Sequence, residues 1–401
     1  MDACDVLIVG AGPAGTSCAW ALRDSGLKVA ILDKSAFPRD KVCGGWITPA
    51  VLDELQINAT EYSRGRVFQP ITGFLTSSIG GPEVRTDYAG PVSYGIRRFE
   101  FDEYLLRRCG ARLLDAAPLA SCEPTRDGWM VNGGIETRLL VGAGGHFCPV
   151  ARLLGADARQ EVAVAAQEAE FELDAAQRAG CPIQGEIPEL YFCRDMKGYG
   201  WCFRKQNFLN IGLGRLDPRE LPAHVAAFTE FLKRIGRLPF ELPALRSRPG
   251  CVGGGAAMRG HAYLIYRKAA RKFISDNVLL IGDAAGLAYS QSGEGIRPAI
   301  ESGLLAARAI LAAQGDYSQA RLETYRELLR ERFGKSGRFR KSGEDWTTTL
   351  GRRLPEGAMS ALAAALLKSR WFTRHIVLDS WFLHRHTPAL WCQLESLPLQ
   401  V

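Results

Sequence analysis

The sequence lacks any apolar run long enough to cross a lipid bilayer. Its longest alanine- and leucine-rich stretch, Ala358 to Leu367, is far shorter than the roughly 20 residues that a membrane-spanning helix needs. Low-complexity segments are also missing, and 47% of the 401 residues are hydrophobic, which excludes disordered and collagen-like chains. The first apolar segment, Val6 to Val9, follows acids and precedes glycines, so we expect a β-strand there and no secretory leader. These features predict a cytoplasmic globular enzyme.

Metal-binding and disulfide-forming patterns are missing as well. The chain has 11 cysteines but no Cys-x-x-Cys pair. An odd number of cysteines without a secretory leader favours reduced thiols. The six histidines show no ligand spacing of the metalloprotease type. We expect His384 and His386 to lie at the surface, with opportunistic metal binding as the alternative. The sequence therefore predicts no metal site.

Excess charge of one sign is confined to the last part of the chain. The net charge is +7, and the segment from Arg321 to Arg385 contains fourteen Lys and Arg against seven Asp and Glu. Acids and bases alternate there at helical spacing, which favours a solvated helix face over a nucleic-acid-binding surface. Peripheral contact with an anionic membrane is the alternative, because the region also carries aromatic residues. These aromatics are Trp371, Phe372, Trp381, Phe382 and Trp391.

The amino-terminal segment has the pattern of a dinucleotide-binding βαβ unit. Gly10-x-Gly12-x-x-Gly15 follows the apolar run, and Asp33 stands at the end of the next predicted strand, Val29 to Leu32. Such glycines permit a tight turn and let backbone N–H groups approach a pyrophosphate at a helix amino terminus, which we place at Thr16 to Ser25. An acid at the position of Asp33 suits an adenosine ribose. The motif predicts a bound adenine dinucleotide.

Two further segments indicate that the dinucleotide is FAD. Gly282-Asp283-Ala284-Ala285-Gly286 follows a predicted strand, and Gly293-Glu294-Gly295 precedes a helix predicted from Gly295 to about Ala313. A carboxylate at a strand end can bind ribityl hydroxyls, and a helix amino terminus can stabilise the negative charge of a reduced flavin. Arg98 begins another helix, where it either contacts the cofactor or forms a structural ion pair with Asp102.

The chain resembles the FAD-dependent oxidoreductases of the para-hydroxybenzoate hydroxylase fold, and more narrowly the geranylgeranyl reductase family. The resemblance covers roughly residues 3 to 315 and rests on the segments above, on Lys41-Val42-Cys43-Gly44-Gly45 and on Tyr199-Gly200-Trp201-Cys202-Phe203. Motifs and resemblance together give a predicted FAD-binding set of Gly10, Gly12, Pro13, Ala14, Gly15, Asp33, Lys34, Arg39, Cys43, Gly44, Gly45, Arg98, Gly282, Asp283, Gly293, Glu294, Gly295 and Ile296.

By the same resemblance, Tyr199, Trp201 and Phe203 face a substrate cavity, and Cys43 lies beside the flavin. Alternation along a strand puts the three aromatic side chains on one face, where they form an apolar wall suited to a hydrocarbon group. Packing within the core is the alternative role for these aromatics. Cys43 is the candidate catalytic residue, with simple packing as its alternative.

Three positions depart from the family pattern. Gly144 stands where many relatives carry an acid, so the resemblance leaves the electron donor open between NAD(P)H and another carrier. Arg204 replaces a proline of the substrate motif, and the proline expected after Gly286 is missing. Together with Arg297, these changes suggest that Arg204 and its neighbours bind a polar or anionic head group of the substrate.

The expected fold is α/β, a Rossmann-like FAD-binding domain with an inserted antiparallel β-sheet substrate domain and a helical C-terminal region. The FAD-binding domain is predicted at 1–65, 94–160 and 268–318, and the substrate domain at 66–93 and 161–267. The helical region is predicted at 319–401. The strands of the substrate domain are expected near 162–173, 190–194, 199–205 and 208–213.

The predicted function is an FAD-dependent oxidoreductase that reduces carbon–carbon double bonds of a hydrophobic, prenyl-type small molecule by hydride transfer from reduced flavin. One alternative is a monooxygenase or halogenase that acts through a C4a-hydroperoxide, since one scaffold hosts several reactions. The Trp-x-Trp-x-Ile-Pro stretch of tryptophan halogenases is not present. A non-catalytic flavin protein that contacts membranes through its C-terminal region is a further alternative. The sequence makes no prediction of oligomeric state.

Overall fold

The computed structural model describes residues 2–114, 116–157, 161–242, 258–266, 271–334 and 356–390. The strands are β1 Asp2–Val9, β2 Val29–Leu32, β3 Trp46–Ile47, β4 Phe68–Ile71, β5 Gly73–Ser78, β6 Val84–Asp87, β7 Ser93–Ile96, β8 Arg112–Leu113, β9 Cys122–Pro124, β10 Trp129–Val131, β11 Ile135–Gly142, β12 Val164–Glu172, β13 Glu189–Phe192, β14 Gly198–Lys205, β15 Phe208–Arg215, β16 Arg259–Tyr263, β17 Ile274–Ser275 and β18 Val278–Leu280. The α-helices are α1 Pro13–Leu22, α2 Pro49–Glu54, α3 Ala59–Ser63, α4 Arg98–Arg108, α5 Pro149–Leu153, α6 Ala175–Gly180, α7 Leu221–Arg234, α8 Ile296–Ala312, α9 Gln319–Leu329, α10 Glu356–Leu366 and α11 Arg370–Phe372.

The first sheet is mostly parallel and places the glycine-rich turns at one edge. Its strand order is β17-β18-β11-β1-β2-β8, and β9 and β10 add to β11. β1 pairs in parallel with both β2 and β11, and β11 pairs in parallel with β18. The central strands are buried apolar runs, as expected for a sheet covered on both faces. The turns after β1, β2, β11 and β18 therefore meet at the carboxyl ends of the strands, where nucleotides bind in open α/β sheets.

The first helix differs from its predicted bounds. It starts at Pro13, three residues before the expected Thr16, and ends at Leu22. Proline at the first helical position needs no hydrogen-bond partner for its nitrogen and already has a helical φ, so Gly12 becomes the N-cap. This start brings the helix terminus directly onto the glycine turn.

The second large sheet is mostly antiparallel and forms the other side of the site. Its order is β16-β12-β15-β14-β13-β5-β6, with a parallel pairing only between β13 and β5 in the described residues. The strands expected in this region are confirmed, within two residues at either end. A small sheet, β3-β7-β4, joins the two large ones. The mixed α/β architecture with a Rossmann-like FAD-binding fold is confirmed, and the domain boundaries stay a prediction.

The described part of the C-terminal region is helical and packs onto both sheets. It comprises α9, α10 and α11 with π-helical segments at Arg330–Gly334 and Thr373–Phe382. Residues 335–355 and 391–401, with Trp391 among them, lie outside the described residues. No helix in the described ranges is both long and apolar enough to span a membrane.

Candidate cofactor and substrate site

A cavity of about 1070 Å³ lies between the carboxyl ends of the parallel strands and one face of the antiparallel sheet. Its walls come from the turns after β1, β2, β11 and β18, from β12, β14 and β16, and from the C-terminal helical segments. Sequence segments that are more than 250 residues apart therefore meet around one space.

The turn after β1 is the predicted phosphate site, and its glycines shape it. Gly10 has a φ of +119°, and a Cβ there would overlap the carbonyl of Ala143. A Cβ on Gly15 would overlap the carbonyl of Gly10, so this glycine lets helix and turn pack closely. A Cβ on Gly12 would point into open space, and the atom nearest to it would be Arg39 Nη2 at 3.6 Å. The turn thus leaves room for a pyrophosphate between a helix amino terminus and a guanidinium group.

Asp33 closes the adenosine end of the cavity at the end of β2. Its Oδ2 accepts a hydrogen bond from the backbone N–H of Ala11 at 2.8 Å, and its Oδ1 accepts one from Ser35 at 2.9 Å. The carboxylate is buried and lines the cavity. It therefore fixes the glycine turn and presents a negative charge where the motif predicts a ribose.

Arg98 and Arg39 share one buried carboxylate beside the phosphate site. Arg98 donates to both oxygens of Asp102 at 2.7 Å, and Arg39 Nη2 lies 3.4 Å from Asp102 Oδ2. Both arginines line the cavity. The ion pair of Arg98 with Asp102 is present, and it holds Arg98 at the cavity wall, where contact with the cofactor stays a prediction.

Asp283 lies in a cluster of ionisable groups that also lines the cavity. His261 Nε2 is 3.6 Å from Asp283 Oδ2, and His261 Nδ1 is 3.1 Å from Lys41 Nζ. Burial lowers the pKa of His261, although Asp283 acts in the opposite direction. Burial also lowers the pKa of Lys41. A Cβ on Gly295 would lie 3.2 Å from Asp283 Oδ1, so the second glycine loop packs directly against this cluster.

Glu294 is buried beside the amino terminus of α8. Burial raises the pKa of its carboxyl group to about 8. His384 Nε2 lies 3.8 Å from Glu294 Oε2, and the His384 ring is 3.8 Å from the ring of Tyr289. The expected surface position of His384 is wrong, since its side chain is 11% exposed and burial lowers its pKa to about 3.

The Cys43-Gly44-Gly45 loop is anchored on the antiparallel sheet. The N–H of Cys43 donates to Glu168, and the Cys43 carbonyl accepts from Asn210 Nδ2 at 3.3 Å. Lys205 Nζ donates to the Gly44 carbonyl at 3.0 Å. A Cβ on Gly44 would lie 3.3 Å from the ring of Phe203, so a side chain there would fit only if the ring shifted slightly. The loop therefore forms the boundary between the phosphate-binding turns and the aromatic wall.

The predicted aromatic wall is present in the cavity. Tyr199, Trp201 and Phe203 line it from β14, as strand alternation predicts. Their rings contact one another at centroid distances of 5.9 and 6.5 Å. Trp201 Nε1 donates to Asn210 Oδ1 at 2.7 Å, so its polar atom is satisfied. The wall presents hydrocarbon to the cavity.

The two arginines expected near a substrate head group lie elsewhere. Arg204 projects from the other face of β14 and donates to the carbonyls of Gln206, Cys181 and Ile183 at 3.2–3.5 Å. Arg297 is buried against Glu54 and Glu301. The suggestion that Arg204 binds substrate is therefore wrong, because the period-two alternation that turns Phe203 into the cavity turns Arg204 away from it.

Most predicted cofactor residues lie around the cavity, and a few support it from behind. Gly15 and Gly282 pack behind the lining, where a Cβ on Gly282 would lie 2.9 Å from the Cβ of Ala14. The lining includes Gly10, Gly12, Pro13, Ala14, Asp33, Lys34, Arg39, Cys43, Gly44, Gly45, Arg98, Asp283, Gly293, Glu294, Gly295 and Ile296.

Sequence reasoning missed Glu168 and His261. Both line the cavity from β12 and β16, whose other inward residues are apolar or aromatic. The sequence did contain a signal for Glu168, because this acid shares one face of an alternating strand with Val164 and Ala166. A period of two shows which residues share a face, but it does not show which face meets the cofactor turns.

The arrangement fits FAD on structural grounds. The side-chain-free space at Gly12 suits a pyrophosphate, Arg39 supplies positive charge there, and the cavity continues past Cys43 to Asp283. A glycine-rich helix terminus, the acid Asp33 predicted to bind a ribose and a second carboxylate, Asp283, form a donor set that suits a dinucleotide with a flavin end.

Comparisons with known proteins agree with this assignment. A family model described as FAD dependent oxidoreductase matches residues 5–74. The chain is 32% identical over 365 residues to a menaquinone reductase of Mycobacterium tuberculosis, which covers 83% of this chain and 81% of that protein. It is 26% identical to digeranylgeranylglycerophospholipid reductase 2 of Methanosphaera stadtmanae, over 82% of this chain and 84% of that protein.

A solved structure shares the fold over almost the whole length. It is a geranylgeranyl bacteriochlorophyll reductase-like protein of Thermoplasma acidophilum, with a TM-score of 0.71, 20% identity, and coverage of 96% of this chain and 98% of that one. The chain therefore belongs to the geranylgeranyl reductase family of FAD-dependent oxidoreductases.

Proposed function

We propose that this enzyme reduces carbon–carbon double bonds in the prenyl chain of a lipid or quinone. The observation that carries the proposal is the continuity of one cavity from the FAD-binding turns to an aromatic wall. A substrate that lies along this wall presents hydrocarbon to the cofactor and leaves any polar head group outside.

The far end of the cavity is lined by aromatic and aliphatic side chains. The ring of Trp46 stacks on Phe382 at 5.6 Å and meets Phe203 edge-on at 5.7 Å. Phe382 belongs to the C-terminal segment, so that segment covers the wall and completes an apolar chamber. Leu366 and Leu367 contribute further hydrocarbon. Such a lining suits isoprene units and offers no array of polar groups for a sugar or an amino acid.

The names of the relatives support the same substrate class. Menaquinone and digeranylgeranylglycerophospholipid both carry polyprenyl chains, and the named activities are reductions. Because these two substrates differ in their head groups and share a polyprenyl chain, we place the recognised part of the substrate in its prenyl chain.

Bound reduced FAD would supply the hydride for this chemistry. The protein positions and shields the reacting carbons. Lys205 holds the Gly44 carbonyl at 3.0 Å and the Ile96 carbonyl at 2.9 Å, which fixes the loop between cofactor and substrate. The aromatic wall keeps water away from the double bond, which strengthens electrostatic interactions inside the site.

The decisive test is anaerobic turnover. The enzyme is loaded with FAD, reduced with dithionite under argon and mixed with a menaquinone or a geranylgeranyl glycerol lipid in detergent. We expect reoxidation of the flavin and a product that has gained two hydrogen atoms in its prenyl chain, measured by mass spectrometry. A strict requirement for O₂, or a product carrying a new oxygen atom, would instead support the monooxygenase alternative.

A second proposal is that the C-terminal region contacts an anionic membrane surface. Trp371 is 64% exposed and is flanked by the exposed cations Lys368 and Arg370. Leu362 both lines the cavity and is exposed. Aromatic and basic side chains together favour the interface of anionic lipid, and Leu362 connects that surface to the apolar chamber.

Vesicle co-sedimentation tests this membrane contact. Trp371→Ala is expected to weaken binding to phosphatidylglycerol vesicles several-fold while leaving FAD binding intact. Leu311→Ala changes another exposed apolar residue, which is 45% exposed on α8, and serves as the control. Equal binding of both variants and the wild type would remove the proposal, as would equal binding to neutral vesicles.

A further inference from the structure

Glu168 is a buried carboxyl group that faces the cavity. It lies in the middle of β12, is 4% exposed, and lines the cavity in phase with Val164 and Ala166. One oxygen accepts the N–H of Cys43. The other oxygen, Oε2, is buried without a hydrogen-bond partner in the described residues. An unpartnered oxygen at a cavity wall is costly unless it is protonated or meets a ligand.

The charged groups around Glu168 are paired with other residues. Glu170 lies two residues further along the same face. It accepts a hydrogen bond from the ammonium group of Lys205 on β14, and its Oε1 lies 3.2 Å from Nε of Arg97. Arg259, opposite Glu168 on β16, lies 3.4 Å from Asp40. Asn210 on β15 also donates to Glu170, at 3.3 Å.

The consequence of this pairing is that two neighbouring acids have different environments. Although burial acts to raise it, the pKa of Glu170 is lowered overall, chiefly by Lys205. Burial raises the pKa of Glu168 to about 7, and Glu170 adds to that effect, while the Cys43 N–H, Lys205 and Asn210 only partly oppose it. Pairs of acids whose environments separate their pKa values are typical of sites in which one member gives up a proton.

We propose that Glu168 is the catalytic acid that protonates the substrate, an assignment that rests on the reductase function proposed above. In the reduction, one alkene carbon gains a hydride, and with it two electrons, from the reduced cofactor, which is thereby oxidised. The second carbon uses the electrons of the π bond to form a C–H bond with the carboxyl proton of Glu168, whose O–H bond breaks. The carboxylate regains a proton from water after the product leaves.

The contact with Cys43 connects this acid to the cofactor loop. Glu168 holds the backbone N–H of Cys43, and Gly45 N–H donates to the Cys43 sulfur at 3.4 Å. The thiol therefore belongs to a loop whose position sets the distance between the acid and the cofactor. In this assignment the Cys43 side chain packs, and the proton comes from Glu168.

Glu168→Gln separates an acid role from a positioning role. Glutamine has nearly the same volume, and its carbonyl oxygen still accepts the Cys43 N–H, but its amide is no proton donor at neutral pH. A residue that only positions the loop would tolerate this change. A general acid contributes a factor of about 10² to 10⁴ in rate, so we expect reoxidation of reduced enzyme by the prenyl substrate to slow by at least about 10²-fold.

The pH profile supplies a second criterion. In the wild type, the reoxidation rate should be constant below neutrality and fall about tenfold per pH unit above a pKa near 7, because only the protonated acid is active. Glu168→Gln should be slow at every pH without this inflection. Glu168→Asp keeps an acid on a shorter chain and should recover part of the rate together with the inflection. Glu172→Gln, an exposed acid on the same strand, is the matched control and should behave as wild type.

A readout independent of turnover uses the FAD-free protein. Infrared difference spectra across neutral pH should show a protonated carboxyl band that titrates near pH 7 in the wild type and in Glu172→Gln and is missing from Glu168→Gln. The band of Glu294, whose pKa is about 8, should remain in all three proteins. FAD affinity of each variant confirms that it is folded. Wild-type reoxidation rates in Glu168→Gln, or the absence of a titrating band at Glu168, would overturn the assignment. A wild-type enzyme that reduces no prenyl double bond would instead overturn the proposed function.

Discussion

At the scale of single residues, Gly10 and Gly12 have different physical reasons for being glycine. A Cβ on Gly10 meets backbone, and its φ of +119° is unfavourable for any other residue, so the fold itself requires it. A Cβ on Gly12 meets only Arg39 Nη2, at 3.6 Å. That distance is ordinary van der Waals contact, so the fold would accept a side chain at Gly12, and we predict that only a bound pyrophosphate excludes one there.

This difference predicts opposite outcomes for two matched substitutions. Gly12→Ala should fold with almost unchanged stability and lose at least about tenfold in FAD affinity, equivalent to about 1.4 kcal/mol. Gly10→Ala should lower the free energy of unfolding by about 1–3 kcal/mol or more, even without FAD. Denaturant unfolding and FAD titration measure the two effects. A Gly12→Ala protein that binds FAD as the wild type does would show that the pyrophosphate lies elsewhere.

Glu294 predicts a measurable effect of pH on stability. Its pKa in the folded protein is about 8, raised by burial, and the neighbouring groups are Arg297, Glu301 and His384. Between the ordinary pKa of a glutamate and 8, the folded state holds a proton that the unfolded state has released, so this group lowers stability as pH rises.

The expected result concerns the difference between variant and wild type. From about pH 5 to 8, Glu294→Gln should gain stability relative to the wild type by on the order of 1 kcal/mol per pH unit. Urea unfolding of the FAD-free proteins at several pH values measures this difference. A constant difference across the range would mean that Glu294 is ionised in the folded protein.

At the scale of elements, the aromatic wall depends on glycines in the neighbouring strand. β15 carries Gly212 and Gly214, and β14 pairs with it so that Trp201 lies opposite Gly212. A Cβ on Gly212 would overlap the Trp201 ring, whereas a Cβ on Gly214 would lie 3.5 Å from the Cβ of Ala166. The indole of Trp201 therefore occupies the space that the missing side chain of Gly212 leaves.

Gly212→Ala should push the Trp201 ring into the cavity. We expect a loss of about 1–3 kcal/mol in the free energy of unfolding from overpacking, together with a higher KM for prenyl substrate and unchanged FAD affinity. Gly214→Ala is the control, and its stability should stay within about 0.5 kcal/mol of the wild type. Similar effects of the two substitutions would argue against the ring position.

At the scale of the whole molecule, the site joins segments from both ends of the chain. The turn after β1 and Asp283 belong to the first sheet, Glu168 and Trp201 to the second, and Phe382 to the C-terminal region. A ligand that contacts these parts stabilises the folded state by mass action.

FAD should therefore stabilise the molecule as a unit. At a free concentration 100 times its Kd, FAD is expected to add about 2.7 kcal/mol to the free energy of unfolding. Hydrogen exchange should slow in β1, β12 and the segment after β18 together. ADP at the same multiple of its own Kd should protect the turn after β1 but not the loop at residues 293–295. Equal protection of both regions by ADP would contradict the placement of the flavin end.

Much of the cofactor site could be predicted from local sequence. Gly10, Gly12 and Asp33 lie within one βαβ unit, where turn geometry and hydrogen-bonding capacity are fixed by neighbouring residues. That Tyr199, Trp201 and Phe203 share one face followed from the period of a strand, whereas the family resemblance placed that face towards the cavity. The position of Arg204 was predicted wrongly because the arginine replaces a proline of the substrate motif and was therefore expected in the cavity. The same period of two turns its side chain to the opposite face of the strand.

The sequence by itself determined the nucleotide-binding turns, the order of the elements and the apolar character of the substrate wall, because each depends on residues close together in the chain. Tertiary structure decided the pairing of charges. Lys205 donates its hydrogen bond to Glu170, not to Glu168, and His384 lies against Glu294 across 90 residues of sequence. Such pairings depend on which strands and helices are neighbours in space, and the electrostatic environment of a buried acid is set by those neighbours.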